Sequence, residues 1–146
     1  APELASGRSI GTLALTGDTD LDVGAATVRA SGDGPVTLDG RLGHVAFGHV
    51  ADLLVVPALS PAGDAVALYV VESSSPGITV TVRDSLDTTR PFASVEFTGT
   101  PARLLGSDRE SIDRVVDVMR ILIANDAIGA AQAALDGNQA GRKVSG

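Results

Sequence analysis

The chain of 146 residues has no cysteine and no tryptophan, one tyrosine, three phenylalanines, two histidines and a single lysine. Without cysteine there is no disulfide staple and no thiolate metal site, and thiols give no reading of the redox compartment, so the default expectation is cytoplasmic. Eleven basic residues, scattered singly against 18 acidic ones for a net charge of −7, leave no stripe to neutralise a row of phosphates, so no nucleic acid is expected as a partner. Gly-x-Ser-x-Gly, a P-loop and a Gly-x-Gly-x-x-Gly after a strand are all absent, which removes support for hydrolase and dinucleotide-fold readings. Residues 1–7 are not a basic region followed by an apolar run. No stretch is expected to approach the roughly 18 apolar residues a membrane helix needs, so no membrane partner is expected. His44 and His49 lie five apart and would point to opposite faces of one continuous strand, so no metal site is expected. Asp18-Thr19-Asp20-Leu21-Asp22 lacks the glycine and distal glutamate of a calcium loop and reads as a solvated loop.

What the chain does have is 44% apolar residues, enough for one domain with a core. From residue 10 to about 105, short apolar or alternating runs are split by Gly, Pro, Asp and Ser, the punctuation of strands and turns. The pattern predicts eight strands: 10–16, 25–30, 36–39, 42–47, 52–59, 65–72, 78–83 and 93–98. Sequential hairpins are the economical way to join them. In 78–83 and 93–98 alternate side chains differ in polarity, so one face is buried and one is wet. Leu53-Leu54-Val55-Val56 does not alternate and is expected to be covered on both faces. The fold class is mainly β with one long helix, an antiparallel β-barrel or sandwich packed mostly with Val, Leu and Ala.

The apolar period changes after Gly106. Ser107 and Glu110, three apart, have capping-box spacing, so a helix is expected from 107 to about 136 with Gly137-Asn138 as its stop. Ile112, Val115, Val116, Met119, Leu122 and Ile123 follow at helical spacing, and from Ile121 the helix is apolar nearly all round. Ala124, Ala127, Gly129, Ala130 and Ala131 would let other helices approach closely. A β-domain of this size cannot cover such a helix, so it is expected to pack in an incomplete helical bundle, against the remaining helices of a longer chain or in a homo-oligomer. Asp126, inside the apolar half, reads as a buried or interface polar group before it reads as a general base. The expected boundaries are a β-barrel domain at 1–106 and a helical segment at 107–146.

Four stretches, in order, resemble the acyl-CoA dehydrogenase family. Gly11-Thr12-Leu13-Ala14-Leu15-Thr16 is similar to the strand that the family completes with Thr-Glu-Pro, though Gly17 stands in place of the Glu. Leu38-Asp39-Gly40-Arg41-Leu42-Gly43-His44-Val45-Ala46-Phe47-Gly48 resembles a stretch that ends in an aromatic residue, Ile and Thr. Leu68-Tyr69-Val70-Val71, with Ser75-Pro76-Gly77-Ile78, and then Val95-Glu96-Phe97 resemble a scaffold hairpin and the closing strand of the middle β-domain. Ala127-Ile128-Gly129 through Ala134-Leu135-Asp136 resembles the first long helix of the C-terminal helical domain.

The resemblance implies FAD as cofactor and an acyl-CoA as substrate, with Leu15, Thr16, His44, Ala46 and Arg142 at positions that face the flavin. His44 and Ala46 replace the family's aromatic and Thr. Arg142 comes earlier than the family's Arg and lacks its Phe-Gly. The family's catalytic base is a Glu. Met119 holds one of its two places, so no catalytic residue is assigned in this chain, which is expected to be inactive by itself. A different class also accounts for these residues: a non-catalytic β-barrel module that associates through its apolar helix.

Overall fold

A computed structural model of the chain describes residues 2–14, 26–85 and 89–144, the last seven by backbone alone. The chain forms two compact units, Ala1–Ile112 and Asp113–Gly146. Its elements are α1 (Pro2–Ala5), β1 (Gly11–Leu13), β2 (Arg29–Ser31), β3 (Val36–Ala46), β4 (Leu53–Leu59), β5 (Val66–Glu72), β6 (Ile78–Arg83), β7 (Phe92–Gly106) and α2 (Arg109–Val144).

The neighbour order β4-β2-β3-β7-β5 closes because β5 also pairs with β4, giving a five-stranded barrel with β1 beside β4 and β6 beside β7. Closure leaves the barrel strands with few open edges. The β2–β3, β4–β5 and β6–β7 pairs are antiparallel hairpins, as local connections favour. Sequential hairpins do not account for the rest. β1 and β2 lie parallel to β4, and β7 reaches back to β3 and β5.

Two strands run longer than the sequence predicts. The two segments expected at 36–39 and 42–47 are one strand, because Gly40 is a close-approach glycine and not a turn: its φ is 133° and a Cβ there would meet the Thr27 carbonyl oxygen at 2.6 Å. β7, expected to end at 98, continues to Gly106 through a bulge at Gly99. The Gly99 amide donates to Asp39 Oδ1 at 2.8 Å, and Pro101 precedes the first β5 partner, Arg103.

Leu38, Leu54, Val28, Val45, Val56 and Val95 are fully buried and pack with Phe97 and Tyr69 in the core. Leu54 and Val56 are thus inward, whereas Leu53 and Val55 are only half-buried on the outer face. The expectation that this run is covered on both faces does not hold for the chain by itself. β6 carries half-buried Ile78 and Val80, but Val82 is 60% exposed, as suits a strand flanking the barrel.

The helix starts one residue later than the capping box suggested. Asp108 is the cap: its Oδ2 accepts from the Ser111 amide at 2.9 Å and its carbonyl accepts from Ile112 at 3.1 Å. It also runs through Gly137 to Val144, since glycine inside a helix costs only about 1 kcal/mol relative to alanine and no proline follows. Ile121, Leu122, Ile128 and Leu135 are all more than half exposed in the chain by itself. Contrary to the sequence expectation, Arg109–Gly137 is long and apolar enough to cross a membrane by length and composition. Runs of consecutive apolar residues miss this, because single charges interrupt the stretch. Asp126 alone, placed at a bilayer centre, would cost about 3 kcal/mol.

Two outcomes follow from the barrel. Gly77 has φ 79°, and a Cβ there would fall 2.1 Å from the Thr98 carbonyl oxygen. The same approach lets the Thr98 amide donate to the Gly77 carbonyl at 2.8 Å. Gly77→Ala should therefore lower stability by about 2 kcal/mol or more, read from chemical denaturation. Tyr69, the only tyrosine, has its phenol pushed above the ordinary value by burial. The neutral phenol is the form the fold prefers, so this stabilisation is present below about pH 10 and is lost as pH rises through the raised value. Ultraviolet titration should show tyrosinate forming only at pH above the ordinary range, and Tyr69→Phe should remove that alkaline step in stability.

Candidate functional site

The C-terminal end of β3 is built by a change of parity. In regular alternation Leu42, His44 and Ala46 would share one face. A register shift against β7 between Leu42 and Val45 breaks that alternation, so Leu42 and Val45 are both buried while His44 and Ala46 are half-buried on the opposite face. The bulge re-aims the two side chains out of the core. The His44 ring meets Phe92 in an edge arrangement, with centroids 6.2 Å apart and planes at 75°. Such a contact orients a ring as well as burying it. Ala46 pairs with Phe92 across the ladder, so His44 is its diagonal neighbour.

Beyond Ala46 the chain turns at Phe47, a non-glycine residue with φ 55°. Its amide donates to the Pro91 carbonyl at 2.9 Å, and the Gly48 amide donates to Val45 at 3.2 Å. Gly48 lies close against Val45 and Ala93, where even a Cβ would be tight. His49 is exposed in this turn and not on the strand, so the opposite-face geometry expected for the two histidines does not arise. Among the described residues no group of three or more His, Cys, Asp or Glu could hold a metal.

β1 brings the other predicted segment alongside. The Ile10 amide donates to Asp52 Oδ2 at 2.8 Å, and the amides of Asp52 and Leu53 donate to the Ile10 carbonyl. At the far end of the strand, buried Ala14 donates its amide to Val55 at 2.8 Å. Between these clamps the Thr12 hydroxyl donates to the Ala46 carbonyl at 2.7 Å. The exit of β1 and the exit of β3 are therefore tied together.

Of the five residues predicted to face a flavin, the structure describes the side chains of His44 and Ala46 and puts them on one face. Leu15 and Thr16 lie outside the described residues. Arg142 lies in α2, its side chain likewise outside the description. Two residues that sequence reasoning missed, Thr12 and Phe92, hold this corner. Thr12 was visible in the first motif but carried no mark of its bond, and nothing in the sequence joins Phe92 to His44.

Two open grooves also mark the outer surface of the first unit. One, of about 540 Å³, is lined by Leu4, Leu13, Leu53, Val55 and Leu105 with Thr12 at its side. A second, of about 750 Å³, is more polar and includes Asp52, Glu72, Ser73 and Arg103. His44 and Ala46 line neither.

No family model matches the chain, and no curated protein does. Solved structures do. The ChsE4–ChsE5 complex from Mycobacterium tuberculosis is 31% identical with a TM-score of 0.59, over 72% of this chain and 28% of that one. A glutaryl-CoA dehydrogenase from Mycobacterium smegmatis in complex with FADH2 is 25% identical with a TM-score of 0.62, over 73% of this chain and 29% of that one. A glutaryl-coenzyme A dehydrogenase in its glutaryl-CoA complex is 24% identical with a TM-score of 0.65, over 73% and 29%, a likeness of fold. The chain thus spans less than a third of the length of these proteins. Over that span, the closed barrel followed by one long helix is the acyl-CoA dehydrogenase-like fold, in its middle and C-terminal domains.

Proposed function

We propose that this chain supplies the β-domain wall of a flavin-dependent acyl-CoA dehydrogenase site, where hydrogens leave the α and β carbons of an acyl-CoA thioester. The observation that carries this is the outward-facing His44 and Ala46 at the end of β3, tied to the end of β1 in a chain of this fold. The residues fit a flavin. His44 offers a flat ring held edge-on by Phe92, and Ala46 is small enough for a planar ring system to approach the backbone. Leu15 and Thr16, which follow β1 in sequence, would meet the pyrimidine edge, and Arg142 would meet the FAD of a neighbouring subunit. FAD, when bound, accepts the β-hydride.

The chain's own contribution is binding and orientation. His44 holds a π-face, Ala46 leaves space, and the barrel excludes water from one side of the site. None of the assigned residues takes the α-proton, and Met119 stands at one place where the family has its Glu. Division into a barrel of residues 1–106 and a helical segment of 107–146 suits this role. The segment would complete its bundle with the remaining helical domains or a second copy, in the cytoplasm.

By itself the chain should neither hold FAD tightly nor dehydrogenate acyl-CoA. A missing general base removes a contribution on the order of a hundredfold or more, and poor flavin retention removes the hydride acceptor. The assay follows reduction of an artificial electron acceptor with added FAD and acyl-CoAs from short to long. Turnover above a flavin-only control would contradict the prediction, and Asp126→Asn would then be the first variant to make.

A second reading is favoured by the exposed Ile121, Leu122, Ile128 and Leu135 of α2: a non-catalytic barrel module that assembles through this helix. On either reading the helix buries its apolar side chains in an assembly. Sedimentation at tens of micromolar should show a dimer or larger species. A stoichiometric flavin band in that assembly supports the enzyme reading, and a colourless stable oligomer supports the module.

A further inference from the structure

The edge of β3 opposite β7 is only partly paired. β2 covers it from Thr37 to Asp39, and β1 pairs with β4 alone. From Gly40 to Ala46 no described strand forms a ladder with that edge, although this half of β3 carries His44 and Ala46. Unpaired backbone carbonyls at partly buried positions are costly, and a loose edge would let the end of the strand move.

Two threonine hydroxyls stand where a neighbouring strand's amides would be. Thr27 Oγ1 donates to the Arg41 carbonyl at 2.6 Å, and Thr12 Oγ1 donates to the Ala46 carbonyl at 2.7 Å. They differ in what lies behind them. Thr12 sits in the β1 ladder opposite Leu54, and the Asp52 contacts to Ile10 and the Ala14 amide bond to Val55 clamp both ends of β1 to β4. Its hydroxyl therefore transmits the position of β4, a core strand, to the last residue of β3.

We infer that Thr12 is a positioning residue: its hydroxyl fixes the end of β3 and thereby sets how His44 is presented. This rests on the reading of that face as a flavin wall. Thr27, at the far end of the open edge, acts on Arg41 and leaves His44 alone.

The chain has only two histidines, so their ring protons are resolved simply by NMR. His44, in contact with Phe92, should resonate away from exposed His49. Thr12→Val keeps the branched shape and removes the hydroxyl; it should move the His44 resonances toward those of His49. Thr12→Ser should restore them and Thr27→Val should leave them in place. If Thr12→Val leaves the His44 resonances unmoved, the inference is overturned. Should the valine variant fail to fold, the wild-type Thr12 hydroxyl proton decides: slow exchange with solvent supports the bond, and fast exchange refutes it. Adding FAD at high concentration separates this tie from the flavin reading. Wild-type His44 resonances that do not respond to FAD sink the flavin wall, whereas a wild-type response that Thr12→Val weakens by about three- to tenfold in apparent affinity supports both.

Discussion

β3 and β7, at 11 and 15 residues, are longer than the other described strands that pair with them, and the architecture follows from how that excess is shared. Along one edge β7 keeps β3. Along the other it takes β6 over Phe92–Phe97 and then β5 from Arg103, so one strand belongs to a flanking ribbon at one end and to the closed barrel at the other. A strand that does both has to bend. The bend is at Gly99, where the register against β3 slips and the Asp39 carboxylate takes the freed amide. The bond is solvent-exposed, so it contributes less than the roughly 1.5–3 kcal/mol of a hydrogen bond to a charged group out of water.

β3 meets the same problem differently. Among the described residues no second strand forms a ladder with its excess length, and two side-chain hydroxyls take carbonyls along that edge. A hydroxyl satisfies one carbonyl without imposing the two-residue repeat of a ladder. That freedom permits the bulge between Leu42 and Val45, and the bulge turns His44 and Ala46 outward. The candidate site therefore lies where the sheet is least regular, at the rim of a barrel beside a bulge, as irregular strand ends commonly do.

Much of this was legible in the sequence. Strands at 52–59, 65–72 and 78–83 agree with β4, β5 and β6 within one residue, because β-branched runs bounded by Pro, Gly and Ser leave little choice. The helix was legible from its period, though not its cap or its end, since Ser107, Asp108 and Gly137 all carry plausible boundary chemistry. The two misread strand lengths share one cause. Gly40 and the Gly99-Thr100-Pro101 segment look like breaks, yet the first serves close approach of the Thr27–Val28 backbone and the second a bulge inside a continuing strand. Glycine signals an unusual backbone demand without saying which. At the candidate site, the motif pointed to His44 and Ala46, which the structure puts on one face. Thr12 and Phe92 remained hidden, because both act through contacts between strands far apart in sequence.

The parity change at the end of β3 also separates the demands of folding from those of chemistry. Leu42 and Val45 face inward and answer to the core, where losing volume costs roughly 1–4 kcal/mol. His44 and Ala46 face outward, so exchanging a larger aromatic for His44, or a hydroxyl-bearing residue for Ala46, changes what the surface can hold while hardly touching the barrel. A chain can therefore keep the whole β-scaffold of a flavin enzyme while its cofactor face and its base vary. Retention of the fold therefore fixes the shape of this face without fixing its chemistry.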